Sequence, residues 1–201
     1  MNNYTPTVFT TINSVPKEYH IIDHYFHKRR TVLLCESVTE DVATRVSLQL
    51  EELAEKSSDP IVLRINSGGG GVYDGLAILD CMNYIKDERH IEITTFAYGM
   101  AASMGAFLLA AGTPGKRFAS VNTQILIHQP LGGASGQATE IEIMARHILE
   151  TKLHLAKLLS ENCGKPVEEL VADMERDRWM TAKQALSYGL IDHIGFPSKE
   201  D

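Results

Sequence analysis

The pattern of apolar positions along the chain predicts strands and helices in alternation. Short apolar runs without a helical period, such as residues 31–35 and 61–65, are typical of buried strands. Each is followed by a segment with an apolar residue at every third or fourth position, for example residues 72–86, which predicts an amphipathic helix. This alternation favours βαβ units, a mainly parallel sheet and the α/β fold class.

The longest helical pattern runs over residues 139–162 and would reach roughly 36 Å at 1.5 Å per residue. Its apolar positions, including Ile141, Met144 and Leu149, cover more than one face of the helix. A projecting helix with several apolar faces needs a partner, which indicates oligomerisation. Burial of this helix within its own monomer fits the periodicity equally well.

Length and composition restrict the class of protein. A chain of 201 residues with 44% hydrophobic residues can bury one core, which predicts a single domain over residues 20–201. Residues 1–19 are polar and contain Pro6 and Pro16, so they predict a flexible N-terminal arm. A net charge of −7 disfavours a nucleic-acid binder that relies on phosphate contacts.

The chain carries no pattern of a membrane, secreted or metal-binding protein. No apolar run approaches the ~20 residues of a membrane span, and the polar start differs from a signal peptide. Three cysteines lie far apart, which disfavours a disulfide framework and fits a cytoplasmic location. The closely spaced histidines lack the partners of a metal site, so no metal is predicted: His20, His24 and His27.

Ser103 lies where a predicted strand ends and a short helix begins, among small residues. Such a turn exposes the hydroxyl group and leaves N–H groups of the first helical turn unpaired, where they could stabilise an oxyanion. The alternative is that Ser103 only caps the helix. The glycine run 68–71 lies at another strand-to-helix turn and could supply a second N–H donor or hold an extended peptide.

His128 directly follows a predicted strand over residues 124–127. Because the carboxyl ends of parallel strands meet at one edge of a sheet, Ser103, the glycine run and His128 are expected close together. Four carboxylates are candidates for orienting the histidine, and composition does not choose among them: Asp173, Glu175, Asp177 and Asp192.

Three blocks of the sequence, residues 99–112, 127–143 and 175–192, resemble the ClpP family, the proteolytic subunits of the Clp protease. The intervals between the serine, the histidine and the aspartate of these blocks also agree with the family. The resemblance implies a ClpP/crotonase-like fold. In that fold, residues 131–162 form a protruding handle that consists of a strand over residues 131–137 and the long helix.

The resemblance also implies a catalytic triad of a serine endopeptidase. Ser103 would attack the peptide carbonyl, His128 would carry the proton to the leaving amine, and Asp177 would fix the imidazole tautomer. The backbone N–H groups of Gly70 and Met104 would form the oxyanion hole.

An assembly is implied as well. This chain or paralogous ClpP subunits would form two stacked heptameric rings, with oligomer contacts at Gln137, Glu140 and Arg176. A partner AAA+ unfoldase such as ClpX, ClpA or ClpC would feed unfolded protein substrates into the chamber. ATP would be used only by that partner, and the chain would need no cofactor, nucleic acid or membrane.

The sequence departs from the family pattern at three places, one of which is a segment over residues 87–95 that is a few residues longer than usual between a helix and a strand. Gly68 stands where a proline is usual and Gly71 is an additional glycine, which predicts a looser loop and a less efficient peptidase. Val62 and Arg64 replace the tyrosines that help to build the docking pocket for the ATPase, and a charged Arg64 would weaken insertion of an apolar loop.

These departures keep a second function open, a structural or weakly active paralogous subunit of a mixed ClpP ring. A third function, an acyl-CoA enzyme of the related crotonase fold, would use glycine-rich turns to stabilise an enolate. It is disfavoured because no segment resembles a CoA-adenine site.

Overall fold

The computed structural model describes residues 7–12 and 15–198 of the chain. The elements in chain order are β1 (Thr7–Ile12), β2 (Val15–His20), α1 (Ile21–Arg29), β3 (Thr31–Leu34), α2 (Glu40–Lys56), β4 (Ile61–Ser67), α3 (Val72–Asp87), β5 (Ile93–Ala102), α4 (Met104–Ala110), β6 (Arg117–Ala119), β7 (Gln124–Ile127), α5 (Ala138–Cys163), α6 (Val167–Asp173), β8 (Arg178–Thr181), α7 (Ala182–Tyr188) and β9 (His193–Ile194).

A sheet of seven strands forms the centre of the fold, with β3, β4, β5, β6 and β9 side by side and parallel. The long strand β5 pairs with β6 along its first half and with β7 at its end. Only β8 runs antiparallel to its neighbour, β7. The predicted α/β fold with a mainly parallel sheet is therefore confirmed.

Along β4, successive side chains lie on opposite faces of the sheet. Leu63 and Ile65 are fully buried, whereas Val62 and Arg64 between them are only partly buried. One cluster of buried side chains joins the first face to helices α2, α3 and α4. The core thus fixes the strands, and the residues that follow each strand are presented at the carboxyl edge of the sheet.

Helix α2 does not begin with a capping box. Ser37 and Glu40 have the spacing of such a box, but Thr39 is the N-cap and its hydroxyl accepts the Val42 N–H at 3.5 Å. Val38 stays extended because its backbone pairs with the glycine run. A residue engaged in that pairing cannot take part in the first helical turn.

The long helix α5 projects from the fold, as the pattern of apolar positions allows. Only Leu155, Ala156 and Leu159, near its C-terminal end, are buried, and residues 138–147 are exposed. Burial within the monomer therefore applies to one end of the helix only. The expected strand over residues 131–137 is not formed in this chain, because these residues have no hydrogen-bonded strand beside them.

The predicted arm over residues 1–19 overlaps an antiparallel pair, β1 and β2. Residues 1–6, 13 and 14 of the arm lie outside the described part of the chain. The flexibility of the arm stays a prediction. The following helix α1 has no buried residue, so its sequence lacks the apolar stripe that would have predicted a helix.

Within residues 7–12 and 15–198, none of the helices combines the length and the hydropathy that crossing a membrane requires.

Candidate active site

Ser103 occupies a strained turn between β5 and α4. Its backbone has φ +52° and ψ −127°, a region that residues with a side chain rarely adopt and that costs about 1–3 kcal/mol. The Ser103 N–H donates to Leu126 O at 2.9 Å, which ties the turn to the end of β7. The hydroxyl makes no capping hydrogen bond, so Ser103 is the N-cap residue by position without capping through its side chain.

The glycine run packs directly against this turn. A Cβ atom at Gly69 would lie 2.6 Å from Ser103 Cβ and 3.0 Å from Met104 N, so only glycine fits there. Gly69 also has φ +87°. The two strand-to-helix turns that the sequence singled out are therefore in contact.

Backbone hydrogen bonds with Val38 hold the glycine run in place. The Val38 N–H donates to Gly69 O, and the Gly71 N–H donates to Val38 O, both at 2.9 Å. A Cβ atom at Gly70 would lie 2.1 Å from Val38 O. Ser67 adds a side-chain bond, because its hydroxyl donates to Glu36 O at 2.6 Å and accepts the Gly69 N–H at 3.1 Å.

Two backbone N–H groups remain unpaired at this contact. In the described part of the chain, neither the Gly70 N–H nor the Met104 N–H has a hydrogen-bond acceptor. Unpaired N–H groups on both sides of a nucleophile are the donors that a tetrahedral oxyanion requires. Both turns thus present the kind of group that the sequence analysis expected of them.

His128 follows β7, and its imidazole contacts Asp177. The Nδ1–Oδ1 distance is 3.1 Å, and the His128 side chain is 16% exposed whereas that of Asp177 is 63% exposed. The register of β7 and β8 explains the contact, because Ile127 pairs with Arg178 and the next pair of residues is His128 and Asp177. A proton on Nδ1 leaves Nε2 as the proton acceptor.

The other three candidate carboxylates have different partners. Asp173 accepts from Arg178 and, at 2.6 Å, from the Tyr188 hydroxyl. Glu175 binds Lys152 on α5 at 2.5 Å, and this contact lowers the pKa of Glu175. The fourth, Asp192, forms a buried ion pair at 2.5 Å with Arg117. Asp177 is thus the one of the four that meets the histidine.

The backbone brings Ser103 and His128 to the same edge of the sheet, but their side chains are not hydrogen-bonded to each other in the described part of the chain. The adjacent strands pair Ala102 with Leu126, so both side chains extend from the same edge of the sheet. Among residues 7–12 and 15–198, no hydrogen bond joins Ser103 Oγ to His128, and catalytic hydrogen bonds often form fully only with substrate bound. A serine, a histidine and an aspartate thus lie side by side along one edge of the sheet.

A protein-family model described as Clp protease matches residues 15–198. The chain belongs to the Clp protease family. The match covers nearly all of the described residues and confirms the family that the three blocks resemble. The acyl-CoA alternative receives no support from it.

Of the three predicted oligomer contacts, Gln137 and Glu140 lie together at the start of α5, and Arg176 lies beside His128 and Asp177. The Gln137 N–H donates to Glu140 Oε2 at 3.2 Å at the start of α5. Arg176 is exposed and lines, with His128 and Asp177, a depression of about 440 Å³. In the described monomer no ion pair joins Arg176 to Glu140, so their oligomer role stays a prediction.

No local sequence pattern indicated that Gln129 positions the candidate site. Gln129 donates through Nε2 to Glu175 O at 2.9 Å, and its N–H donates to Met174 O at 2.7 Å. These two bonds hold the segment before Asp177 against the end of β7. Like the Val38 contact, they join positions distant in the chain, so no local pattern could have revealed them.

Proposed function

We propose that this chain is the serine endopeptidase subunit of a self-compartmentalised Clp-type protease. The observation that carries the proposal is the His128–Asp177 hydrogen bond at the sheet edge that also bears Ser103. A strained backbone at Ser103 adds support, because strain of this kind persists where the surrounding structure positions a functional group.

In the proposed mechanism, the Ser103 hydroxyl attacks the carbonyl carbon of a peptide bond while His128 Nε2 accepts its proton. The C–O bond formed gives a tetrahedral intermediate, whose oxyanion accepts hydrogen bonds from the Gly70 and Met104 N–H groups. Asp177 stays ionised and stabilises the imidazolium. His128 then gives the proton to the leaving amine, and water hydrolyses the acyl-enzyme by the same steps in reverse order.

Family membership implies subunits that assemble in rings and work with ATPase partners. The finer proposal is two stacked heptameric rings, held by the handle that α5 forms, and a partner AAA+ unfoldase that consumes the ATP. The exposed first half of α5 supports this proposal, since it carries apolar side chains that water would otherwise solvate: Ile141, Ile143, Met144 and Leu149.

A second candidate is a structural or weakly active subunit of a mixed ring. The glycine at position 68 favours this second function. A flexible residue in the loop increases the entropy lost when the loop orders around substrate.

A fluorophosphonate probe distinguishes the two functions. We expect the assembled protein to be labelled at Ser103, with the modified peptide identified by mass spectrometry. The Ser103→Ala variant should not be labelled, whereas Ser187→Ala, which removes an exposed hydroxyl on α7, should be labelled like the wild type. Absence of labelling in assembled protein would overturn the peptidase proposal. Hydrolysis of short fluorogenic peptides without any partner would eliminate the purely structural role.

A further inference from the structure

A cavity of about 720 Å³ lies on the face of the sheet opposite the main core, between α1, strands β3–β5 and the C-terminal segment. Three aromatic side chains form much of its wall: Tyr25, Phe96 and Phe196. Phe96 is buried, while Phe196 is 71% exposed and packs on the Phe96 ring with the ring centroids 4.8 Å apart. The cavity is therefore open at the side where Phe196 lies.

Arg64 lies among aromatic rings at this cavity. Its guanidinium carbon is 4.7 Å from the Tyr98 ring centroid, 5.5 Å from that of Phe96 and 5.8 Å from that of Tyr25. Stacking on rings suits the planar guanidinium and holds it in one orientation. The charge is thus placed in an apolar environment rather than extended into solvent.

Within residues 7–12 and 15–198, the Arg64 guanidinium has no hydrogen-bond acceptor. Its Nε atom is buried without a hydrogen-bond partner, and within the described chain no carboxylate pairs with the side chain. A buried donor left without an acceptor destabilises the protein, and an anionic acceptor would remove that cost and form a charge-assisted bond. The site is therefore complete only with a ligand group that the described chain does not supply.

The surrounding charges favour an anion too. Among the described residues, the cavity wall contains the cationic side chains of Lys28, Arg29 and Arg64 and one acidic side chain, that of Glu92. This excess of positive charge occurs in a chain whose net charge is −7, so it is a local feature and does not follow from composition.

We propose that this cavity binds a protein segment that presents a carboxylate next to an apolar side chain, with Arg64 as the specificity-determining residue. The carboxylate would accept hydrogen bonds from the guanidinium, and the apolar side chain would pack on the aromatic wall. An uncharged apolar segment would bury Arg64 further without giving it an acceptor, and is therefore disfavoured.

This inference rests on the proposed function in one respect, because it takes the segment to be the loop of the partner ATPase that docks at Val62 and Arg64. What it adds is the chemistry of that loop. The sequence predicted only that Arg64 weakens an apolar contact. The geometry points further, to a partner whose docking segment is acidic.

The test is a binding measurement with two acetylated and amidated tripeptides, Asp-Leu-Phe and Asn-Leu-Phe, by isothermal titration calorimetry. The full-length Ser103→Ala protein is used, so that the peptides are not cleaved and binding is separated from peptidase activity. We expect the acidic peptide to bind at least about tenfold more tightly, the effect of one charge-assisted hydrogen bond. Higher ionic strength should reduce that ratio.

Variants assign the preference to Arg64. Arg64→Met keeps an apolar stem of similar length and should bring the affinity ratio close to one, while Arg64→Lys should retain a preference for the acidic peptide. Lys183→Gln removes one positive charge from the exposed face of α7 and should leave the ratio unchanged.

Equal affinities in the protein that retains Arg64, or no binding of either peptide, would overturn the proposal. A preference that survives in folded Arg64→Met would do the same. If circular dichroism shows that Arg64→Met unfolds at a lower temperature than the wild type, two other measurements decide whether Arg64 sets the preference. These are the ionic-strength dependence of binding and the affinity ratio of Arg64→Lys. Labelling of Ser103 by the fluorophosphonate is independent of all these outcomes, so failure here leaves the peptidase proposal standing.

Discussion

Replacing Gly69 by alanine tests whether the contact between the glycine run and the Ser103 turn sets the catalytic rate. The new Cβ atom would lie 2.6 Å from both Ser103 Cβ and Ala102 O. Carbon atoms in contact normally lie about 3.5–4.0 Å apart, so the two turns must separate by about 1 Å. The backbone at Gly69 has φ +87°, which adds about 1–2 kcal/mol of strain for alanine.

The separation moves the neighbouring Gly70 N–H away from the oxyanion. Loss of one oxyanion donor lowers kcat by about 10²–10³-fold, and we expect the Gly69→Ala variant to fall in this range with little change in KM. Overpacking contributes about 1–3 kcal/mol, so the free energy of unfolding should fall by about 2–5 kcal/mol in total.

Gly68→Ala is the matched control. A Cβ atom there would lie 3.6 Å from Met100 Cε, an ordinary contact, and φ is outside the left-handed region. Hydrolysis of a fluorogenic peptide gives kcat and KM, and urea denaturation gives the free energy of unfolding. The reasoning is refuted if Gly69→Ala keeps the wild-type kcat, or if Gly68→Ala loses as much activity.

Two further substitutions separate catalysis from stability. Asp177→Asn should lower kcat by about 10⁴-fold because the amide favours the wrong imidazole tautomer, whereas Glu169→Gln, on the surface, should not; peptide hydrolysis checks both. Asp192→Asn should cost about 3–5 kcal/mol of unfolding free energy, because it removes the counter-charge of the buried Arg117, whose other acceptors are backbone carbonyls. Burial opposes ionisation of Asp192, but the Arg117 contacts outweigh it and lower its pKa below the ordinary 3.8. The stabilisation is therefore present above pH 3.8 and is lost as the pH falls through the pKa of Asp192 in the folded protein. In urea titrations at a series of pH values, the free energy of unfolding should therefore fall less steeply at acid pH for Asp192→Asn than for the wild type.

Periodicity predicted the features of the site that depend on parallel strands. The strand before His128 was predicted with its observed bounds, and a short helix was predicted directly after Ser103, because buried apolar runs and helical stripes are local patterns. Parallel strands end at a common edge, so the proximity of Ser103, the glycine run and His128 could also be predicted.

Features that depend on pairing between distant segments could not be predicted from local patterns. The register of β7 and β8 selects Asp177 from four carboxylates, and nothing in the residues around Asp177 encodes that register. The bridge between Val38 and Gly70 likewise moved the start of α2 away from Ser37. Strands of two to four residues, such as β6 and β9, are too short to carry a period.

Helix α5 and the edge of the sheet that bears the candidate active site are joined through one residue, Glu175. Lys152 on α5 binds Glu175 Oε2 at 2.5 Å, and the carbonyl of the same residue accepts Gln129 Nε2 at 2.9 Å. Glu175 lies two residues before Asp177, and Gln129 directly follows His128. A shift of α5 would therefore act on both sides of the His128–Asp177 pair. If the proposed assembly covers the exposed apolar side chains of α5, it would fix the helix and, through Glu175, the alignment of the proposed catalytic groups.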